Sequence, residues 1–395
     1  METYLDNNAT TKVDKNVLEK MIPYLNEFYS NPSSMYNPAR KTALAIEQAR
    51  SQVTELLGVS NPKTIIFTSC ATESANTAIK GVVSHNKTKE NNHIITTQVE
   101  HPCVLSVYED LEKKGYSASY IGVDENGDLN IDSLLKKVTS KTILVSVMHA
   151  NNETGTVYPV EKIAQEVKKI NKNVKFFVDG VQAAGKIPIE LDNTDIDFYS
   201  ISGHKFHAPK GVGALYVKKG TLFDPFILGG HQENSLRAGT QNTAFIVGLG
   251  EAAIIAKNTL EFENKEVRRL RDKLESGLLD RIKNAKLNSK SKNRVPNTTN
   301  IGFEYIEGEL ILLYLNDLGI YASSGSACTS GSLDPSHVLR AQKVPFTSLH
   351  GSIRFSLSKY TKEEEIDYAL SEIPQVIEKL AKISPFQDEL KKLGM

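Results

Sequence analysis

Cysteine is scarce in this chain: Cys70, Cys103 and Cys328 are 3 residues of 395, and no Cys-x-x-Cys pair occurs. An odd count at such spacing argues against a disulfide framework and against a structural zinc site. Neither charge is in excess, with 47 Lys+Arg against 47 Asp+Glu, so the balance points to neither nucleic acid nor an acidic membrane. No apolar run is long enough to span a bilayer, and Met1–Asn16 does not resemble a signal peptide. Internal repeats and low-complexity tracts are also absent. The expectation is a soluble, reduced, cytoplasmic protein with an ample core in one large domain and a smaller one.

What is present is an alternation of strands and helices. After an extended Met1–Thr11, Asp14 reads as the N-cap of a helix in which Val17, Leu18, Met21, Ile22 and Leu25 recur at helical spacing. Asn37-Pro38 reads as a cap with proline in the first position, and Gly58 as that helix's stop. Strands are expected over 64–68, 93–97, 143–148, 174–178 and 198–201, with helices over 71–82, over 102–114 and from 160 onward. Such a run predicts an α/β protein with a mostly parallel sheet, whose ligands bind beyond the carboxyl ends of the strands. The charged stretch 259–275 marks a departure from the large domain, and 288–300 reads as a polar, basic, solvated connector. Strands over 300–303 and 352–357 and helices over 307–318 and 363–382 follow. The expected division is residues 15–258 as the large domain, with 1–14 and 259–395 as a small α+β domain that carries Cys328.

The polar groups singled out up to Lys205 fall at or just after strand ends. In Phe198–Gly211 an aromatic strand breaks at Gly203, and Lys205 sits past the break; it is either a surface lysine or a Schiff-base former. Ser69–Glu73 either caps a helix or offers its free N–H groups to a phosphate. His101 either caps the helix that begins at Pro102, or acts at the site by stacking on a flat ring or shuttling a proton, a catalytic role. Asn151–Gly155 is a turn, or supplies an amide to a ligand. Asp179 is an N-cap, or the partner of a protonated ring nitrogen, with Gln182 in reach of a ring oxygen. The glycine-rich 229–240 is a solvated loop, or lies close to a ligand or subunit boundary. Arg354 lies inside an apolar strand, where a charge needs a salt bridge or a substrate carboxylate. Cys328 sits in a Ser/Gly stretch, 323–332, with little apolar packing to justify a thiol, so reactivity explains it better.

The sequence segments Tyr4–Thr11, Ala71–Ser74, Glu100-His101, Asn151–Gly155, Val178–Gln182, Ser202–Lys205, Arg237–Thr240, Ser323–Cys328 and Arg354–Leu357 occur in one order. Together they resemble the cysteine desulfurases, relatives of the class V aminotransferases with the fold-type-I pyridoxal-phosphate architecture, over nearly the whole chain. The segment Gly331–Ala341 and the run Ile383–Phe386 resemble the branch that serves nitrogenase cluster assembly. The resemblance implies a pyridoxal 5′-phosphate enzyme that takes sulfur from L-cysteine, leaves L-alanine and an enzyme persulfide, and passes the sulfur to an iron–sulfur scaffold or another acceptor protein. It implies Lys205 as the Schiff-base lysine, Ser202, His204, Ala71 and Thr72 at the phosphate, and Thr240 at the phosphate of the other subunit of a homodimer. His101 would stack on the ring, Asp179 would face the pyridine nitrogen and Gln182 the ring oxygen. Asn152 and Arg354 would hold the substrate carboxylate, and Cys328 would accept the sulfur. Ala208 stands where many members have glycine. A selenocysteine lyase, another class V aminotransferase, or a non-catalytic protein of the same fold are the alternatives.

Overall fold

The computed structural model describes residues 1–86, 92–324 and 335–395. A short β1 (Thr3–Tyr4) precedes the large sheet, which is built from β2 (Ile65–Thr68), β3 (His93–Thr97), β4 (Ser117–Ile121), β5 (Thr142–Met148), β6 (Lys175–Asp179), β7 (Phe198–Ser202) and β8 (Gly213–Val217). Their spatial order is β2-β8-β7-β6-β5-β3-β4, and only β8 runs against the others. Apolar residues cover both faces, as a sheet buried between helices requires. Ile65, Phe67, Phe176 and Val178 pack with the helices Asn37–Leu57, Val160–Ile170 and Thr243–Asn258. Ile66 and Phe177, one residue out of phase, pack with Ala71–His85 and Pro102–Lys113.

A second core gathers on β9 (Ala285–Leu287), β10 (Thr298–Phe303), β12 (Ser323–Ser324) and β13 (Ser352–Ser356), an antiparallel sheet in the order β12-β13-β10-β9, while β1 pairs in parallel with β11 (Ile320–Tyr321). Ile301, Phe303, Ile353 and Phe355 pack there with Leu5 and with the helices Arg268–Arg281, Gly308–Asp317 and Glu363–Ile383. No single helix among the described residues is long and apolar enough to cross a membrane.

The structure departs from the sequence reading in several places. The first helix stops at Met21, and Pro23 opens a separate turn, because proline brings no N–H to the helical ladder. Asp14 does cap it, accepting from the Asn16 N–H at 2.9 Å. Only Val17 and Met21 are buried; Leu18, Ile22 and Leu25 are exposed. Tyr36, not Asn37, holds the next N-cap position, which puts Pro38 second, while Gly58 does end that helix in the left-handed region, at φ 59°. The supposed solvated connector is the largest correction. Asn288, Ser289, Ser291, Asn297, Thr298, Thr299 and Asn300 are buried, and only Lys290, Lys292 and Asn293 of this stretch face solvent. Hydrogen bonds make that burial tolerable: the Asn288 amide donates to Asn300 Oδ1 and Ser352 Oγ, and that of Asn297 to Leu357 O. The strands β4 and β8 were not anticipated.

Gly180 directly follows Asp179 at the sheet's edge, and a Cβ built on it would overlap the ring of the fully buried Tyr199. Gly180→Ala is therefore expected to destabilise the fold by about 1–3 kcal/mol through overpacking, measured by urea unfolding.

Asp14 also ties the N-terminal segment to the second core. Burial raises its carboxyl's pKa, but bonds from Lys359 Nζ (2.8 Å), the Tyr360 hydroxyl and the Asn16 N–H outweigh that and hold it at about 2. A carboxylate depressed in the folded state contributes stability that is complete above its unfolded pKa and is lost as pH falls through the folded one. Asp14→Asn should thus lower stability at neutral pH and lose less than the wild type between about pH 4 and pH 2 in chemical unfolding.

Candidate active site

Six strands of the large sheet share a direction, so their carboxyl ends lie along one edge. A cavity of about 330 Å³ opens there, lined by Asn8, Ala9, Cys70, Ala71, Thr72, His101, Cys103, Asn152, Asp179, Gln182, Ser202, His204, Lys205 and Arg354, among others. A larger cavity of about 520 Å³, between the C-terminal helices, is lined by Arg281, Lys382 and Met395 and shares no residue with this one. The sheet edge thus brings together every residue singled out from the sequence for this site except Thr240 and Cys328. Thr240 is exposed and outside the cavity, and Cys328 lies outside the described residues.

Lys205 ends a tight turn, Gly203–Lys205, at the close of β7. Its Nζ donates to the carbonyl oxygens of Asn8 at 2.6 Å and Ala9 at 2.8 Å. The neighbouring His204 Nδ1 is 3.1 Å from Thr10 Oγ1, and the Thr11 N–H donates to His204 O at 2.9 Å. Burial first, and then the cations Lys205, Lys210 and Lys186, push the His204 pKa down to about 4, so its ring is neutral at physiological pH.

Asp179 is the last residue of β6. Its Oδ1 accepts from the Val181 N–H at 3.0 Å, and Cys103 Sγ lies 3.9 Å from Oδ2. Burial pushes its carboxyl above the usual range, while His101, the Val181 N–H and Lys205 pull it back. The capping role of His101 is realised: Nδ1 accepts from the Cys103 N–H at 3.1 Å at the start of Pro102–Lys113. A neutral ring with Nδ1 accepting carries its proton on Nε2. Burial lowers the His101 pKa, Asp179 raises it and Lys205 lowers it. Cys103, beside Asp179, has its thiol pKa pushed well up by burial and by the carboxylates of Asp179 and Glu100. It is a poor candidate for a thiolate.

The helix Ala71–His85 begins at the cavity with Cys70 in N-cap position and no capping side chain on the cap residue. Glu73 satisfies the Ser69 N–H at 2.8 Å instead and pairs with Arg237, at 2.8 Å from Nε and 3.1 Å from Nη2. Arg237 belongs to the loop that ends at Thr240, so this ion pair docks that loop beside the helix start. The first-turn N–H groups at Ala71 and Thr72 remain available to an anion, which the helix dipole also favours.

Arg354, in the middle of β13, reaches the cavity from the second core. Its structural partner is Asp6: Nη2 donates to Oδ1 at 2.6 Å, and Nη1 donates to Asn152 O at 3.1 Å. Nε is buried and has no hydrogen-bond partner among the described residues. Asn151 forms the turn, its Oδ1 accepting from the N–H groups of Glu153 and Thr154, which leaves Asn152 on the cavity wall. The salt-bridge reading of Arg354 and the turn reading of Asn151–Gly155 are both realised.

Sequence reading gave no site role to Asp6, Asn8, Ala9, Glu100 or Lys186. Asn8 connects most of the site: its backbone oxygen takes Lys205 and the Gln182 amide (3.1 Å), and its side-chain amide reaches Asn152 O (3.1 Å) and Thr298 Oγ1 (2.8 Å). The one available signal was a run of three polar residues, Asp6-Asn7-Asn8, in an otherwise extended segment. Glu100 is fully buried, with Oε1 bonded to the Thr97 hydroxyl and the Met148 N–H, Oε2 without a partner among the described residues, and a pKa pushed to about 8 by burial.

A model of the family "Aminotransferase class-V" matches residues 3–369. The chain is 53% identical over 386 residues to "Cysteine desulfurase" of Trichormus azollae, spanning 98% of this chain and 95% of that protein. It is 49% identical over 385 residues to "Cysteine desulfurase NifS" of Azotobacter vinelandii, with the same coverage of 98% and 95%. Among solved structures it resembles a "NIFS-LIKE PROTEIN" at TM-score 0.91 and 43% identity, covering 96% of this chain and 100% of that one. It also resembles "SspA in complex with cysteine" at TM-score 0.80 and 34% identity, covering 91% and 100%. The chain belongs to the cysteine desulfurases of the class V aminotransferase family. The fold is accordingly the fold-type-I architecture of pyridoxal-phosphate enzymes, and the cofactor is pyridoxal 5′-phosphate.

The residues present fit that group. A phosphate monoester needs open N–H donors, which the start of Ala71–His85 supplies. An aldehyde needs an amine, and a protonated ring nitrogen needs a buried carboxylate; Lys205 and Asp179 line the same cavity. The unpartnered Arg354 Nε leaves one more donor for an anionic substrate group. Incubating the desulfurase with pyridoxal 5′-phosphate and borohydride should attach the cofactor to a peptide containing Lys205, read by mass spectrometry. Lys205→Ala should give no such adduct.

Proposed function

We propose that this protein removes sulfur from L-cysteine, releases L-alanine and hands the sulfur to an acceptor protein of iron–sulfur cluster assembly, with nitrogenase maturation as the branch served. The observation that carries this reading is the convergence of Lys205, Asp179, His101 and the part-unpaired Arg354 on one cavity at the sheet's carboxyl edge. The desulfurase relatives and the motifs resembling the nitrogen-fixing branch favour it over a selenocysteine lyase or a non-catalytic protein. We further propose the division into residues 15–258 and a second unit of 1–14 with 259–395, since Leu5 packs in the core with residues from Val267 to Leu390. A homodimer in which Thr240 completes the partner's phosphate site accounts for its exposed position outside the cavity of its own chain.

Pyridoxal 5′-phosphate, when bound, supplies an electron-withdrawing ring next to the substrate's α-carbon. In this reading Ala71, Thr72, Ser202 and His204 hold its phosphate, Asp179 its ring nitrogen, Gln182 its ring oxygen and His101 its face. Asn152 and Arg354 take the cysteine carboxylate, a pairing in which each charged hydrogen bond contributes about 1.5–3 kcal/mol. Arg354 is fixed for this by Asp6, which accepts from Nη2 and leaves Nε for the substrate. Lys205 accepts the α-proton and returns one to carbon, the carbonyls of Asn8 and Ala9 steering its amine between strokes. Cys328 attacks the substrate sulfur as a thiolate. The new S–S bond forms as the substrate's carbon–sulfur bond breaks, and the carbon that keeps the electron pair takes a proton to become the methyl group of alanine. A serine could not replace Cys328, because its alkoxide is not formed at neutral pH and is poorly matched to sulfur.

Cys328→Ala is expected to retain the visible absorbance of the bound cofactor while sulfide release from L-cysteine with a thiol reductant falls to background. Full activity in that variant would remove Cys328 from the reaction.

A further inference from the structure

A second buried amine, that of Lys186, stands beside the site with no part in the reaction described above. Lys186 stands one turn beyond Gln182, in a segment where the Ala184 and Ile187 N–H groups bond back to the carbonyls of Gly180 and Ala183. Only 6% of Lys186 is exposed. Its Nζ donates to Gln182 Oε1 in a short bond and lies 3.5 Å from Asn8 Oδ1. The other end of the Gln182 amide, Nε2, donates to Asn8 O at 3.1 Å, the same oxygen that takes Lys205.

A carboxamide has two ends of nearly equal shape and opposite polarity, an acceptor oxygen and a donor nitrogen. Shape alone would let Gln182 face the cavity with either. While protonated, Lys186 donates and cannot accept, so it takes the oxygen end, the end its Nζ is bonded to. That leaves Nε2 with one hydrogen on Asn8 and a second for the cavity.

We propose that Lys186 is a positioning residue: by holding Gln182 Oε1 it makes Gln182 present a donor, and only a donor, to the cofactor's ring oxygen. The proposal rests on the reading of this cavity as the pyridoxal-phosphate site. The charged groups around Lys186 are Lys205 and Arg354, which disfavour its ammonium, and Glu263, which favours it. Glu263, Lys205, His207 and Lys359 line a small cavity of about 20 Å³ with Lys186, so a carboxylate is at hand to balance a buried cation. Burial lowers the Lys186 pKa to about 7 and raises that of Glu263 to about 7, where each offsets the other.

The test compares holoenzymes: wild type, Lys186→Met, Lys186→Arg, Gln182→Leu and the double variant Lys186→Met with Gln182→Leu. The readouts are the pH midpoint at which the visible cofactor band titrates and the dissociation constant for pyridoxal 5′-phosphate. An acceptor oxygen that loses an N–H donor becomes more basic. Lys186→Met should therefore raise the midpoint and weaken cofactor binding by about three- to tenfold, the scale of one lost hydrogen bond. Lys186→Arg, which keeps the donors, should titrate near wild type. In the Gln182→Leu background Lys186→Met should add nothing, since its effect passes through that amide. A Lys186→Met enzyme that titrates as wild type overturns the proposal, as does a shift of equal size with and without Gln182. If circular dichroism shows that Lys186→Met does not fold, Lys186→Gln, too short to span the same gap, takes its place with the same expected shift. A wild-type protein with no Lys205-dependent band would overturn the cofactor reading and the proposal with it, whereas a normal band with an unshifted Lys186→Met overturns the proposal alone.

Discussion

Two backbone carbonyls, those of Asn8 and Ala9, hold the amine of Lys205, and much of the site depends on that contact. The segment carrying them leaves the second core, where Leu5 packs, and turns at Asn7–Ala9, the Ala9 N–H donating to Asp6 O at 3.0 Å. Along its length Asp6 holds Arg354, Asn8 joins Gln182, Asn152 and Thr298, and Thr10 and Thr11 hold His204. Groups delivered by the large sheet and by the smaller one thus meet on a single strand of chain. Backbone carbonyls suit the task, because they accept from the amine without charge and leave it chemically available.

The electrostatics follow from burial. Asp179 sits where burial works against its charge, and His101, Lys205 and the Val181 N–H work for it. His204 is kept neutral by burial among cations. Arg354 is buried with its charge compensated by Asp6 and one donor in reserve. A site so arranged is built to take in an anion with an aromatic ring, and its energetic deficits are the ones such a ligand would relieve.

Much of this was legible in the sequence, for a definite reason. In a mostly parallel sheet the residues after each strand converge on one edge, so Thr72, His101, Asn152, Asp179 and Lys205 can be grouped from the sequence. Partners far apart in sequence could not: Asp6 and Arg354 are 348 positions apart, and nothing local in Tyr4–Thr11 says which strand it will meet. Polarity misled at 288–300, where Asn288 and Asn297 are buried because each finds a partner for its amide. Periodicity misled at Leu18, Ile22 and Leu25, since helical spacing identifies an apolar stripe without saying what covers it. Lys186 escaped notice because a lysine shortly after a turn looks like surface until its burial is seen.

The most direct measurement of the central claim is a crystal structure of the protein grown with pyridoxal 5′-phosphate. The account predicts electron density continuous from Lys205 Nζ into the cofactor, the phosphate at the N–H groups of Ala71 and Thr72, and the carbonyls of Asn8 and Ala9 still beside that nitrogen. A cofactor seated in another cavity, or seated here with its aldehyde carbon bonded to no protein nitrogen, would contradict it.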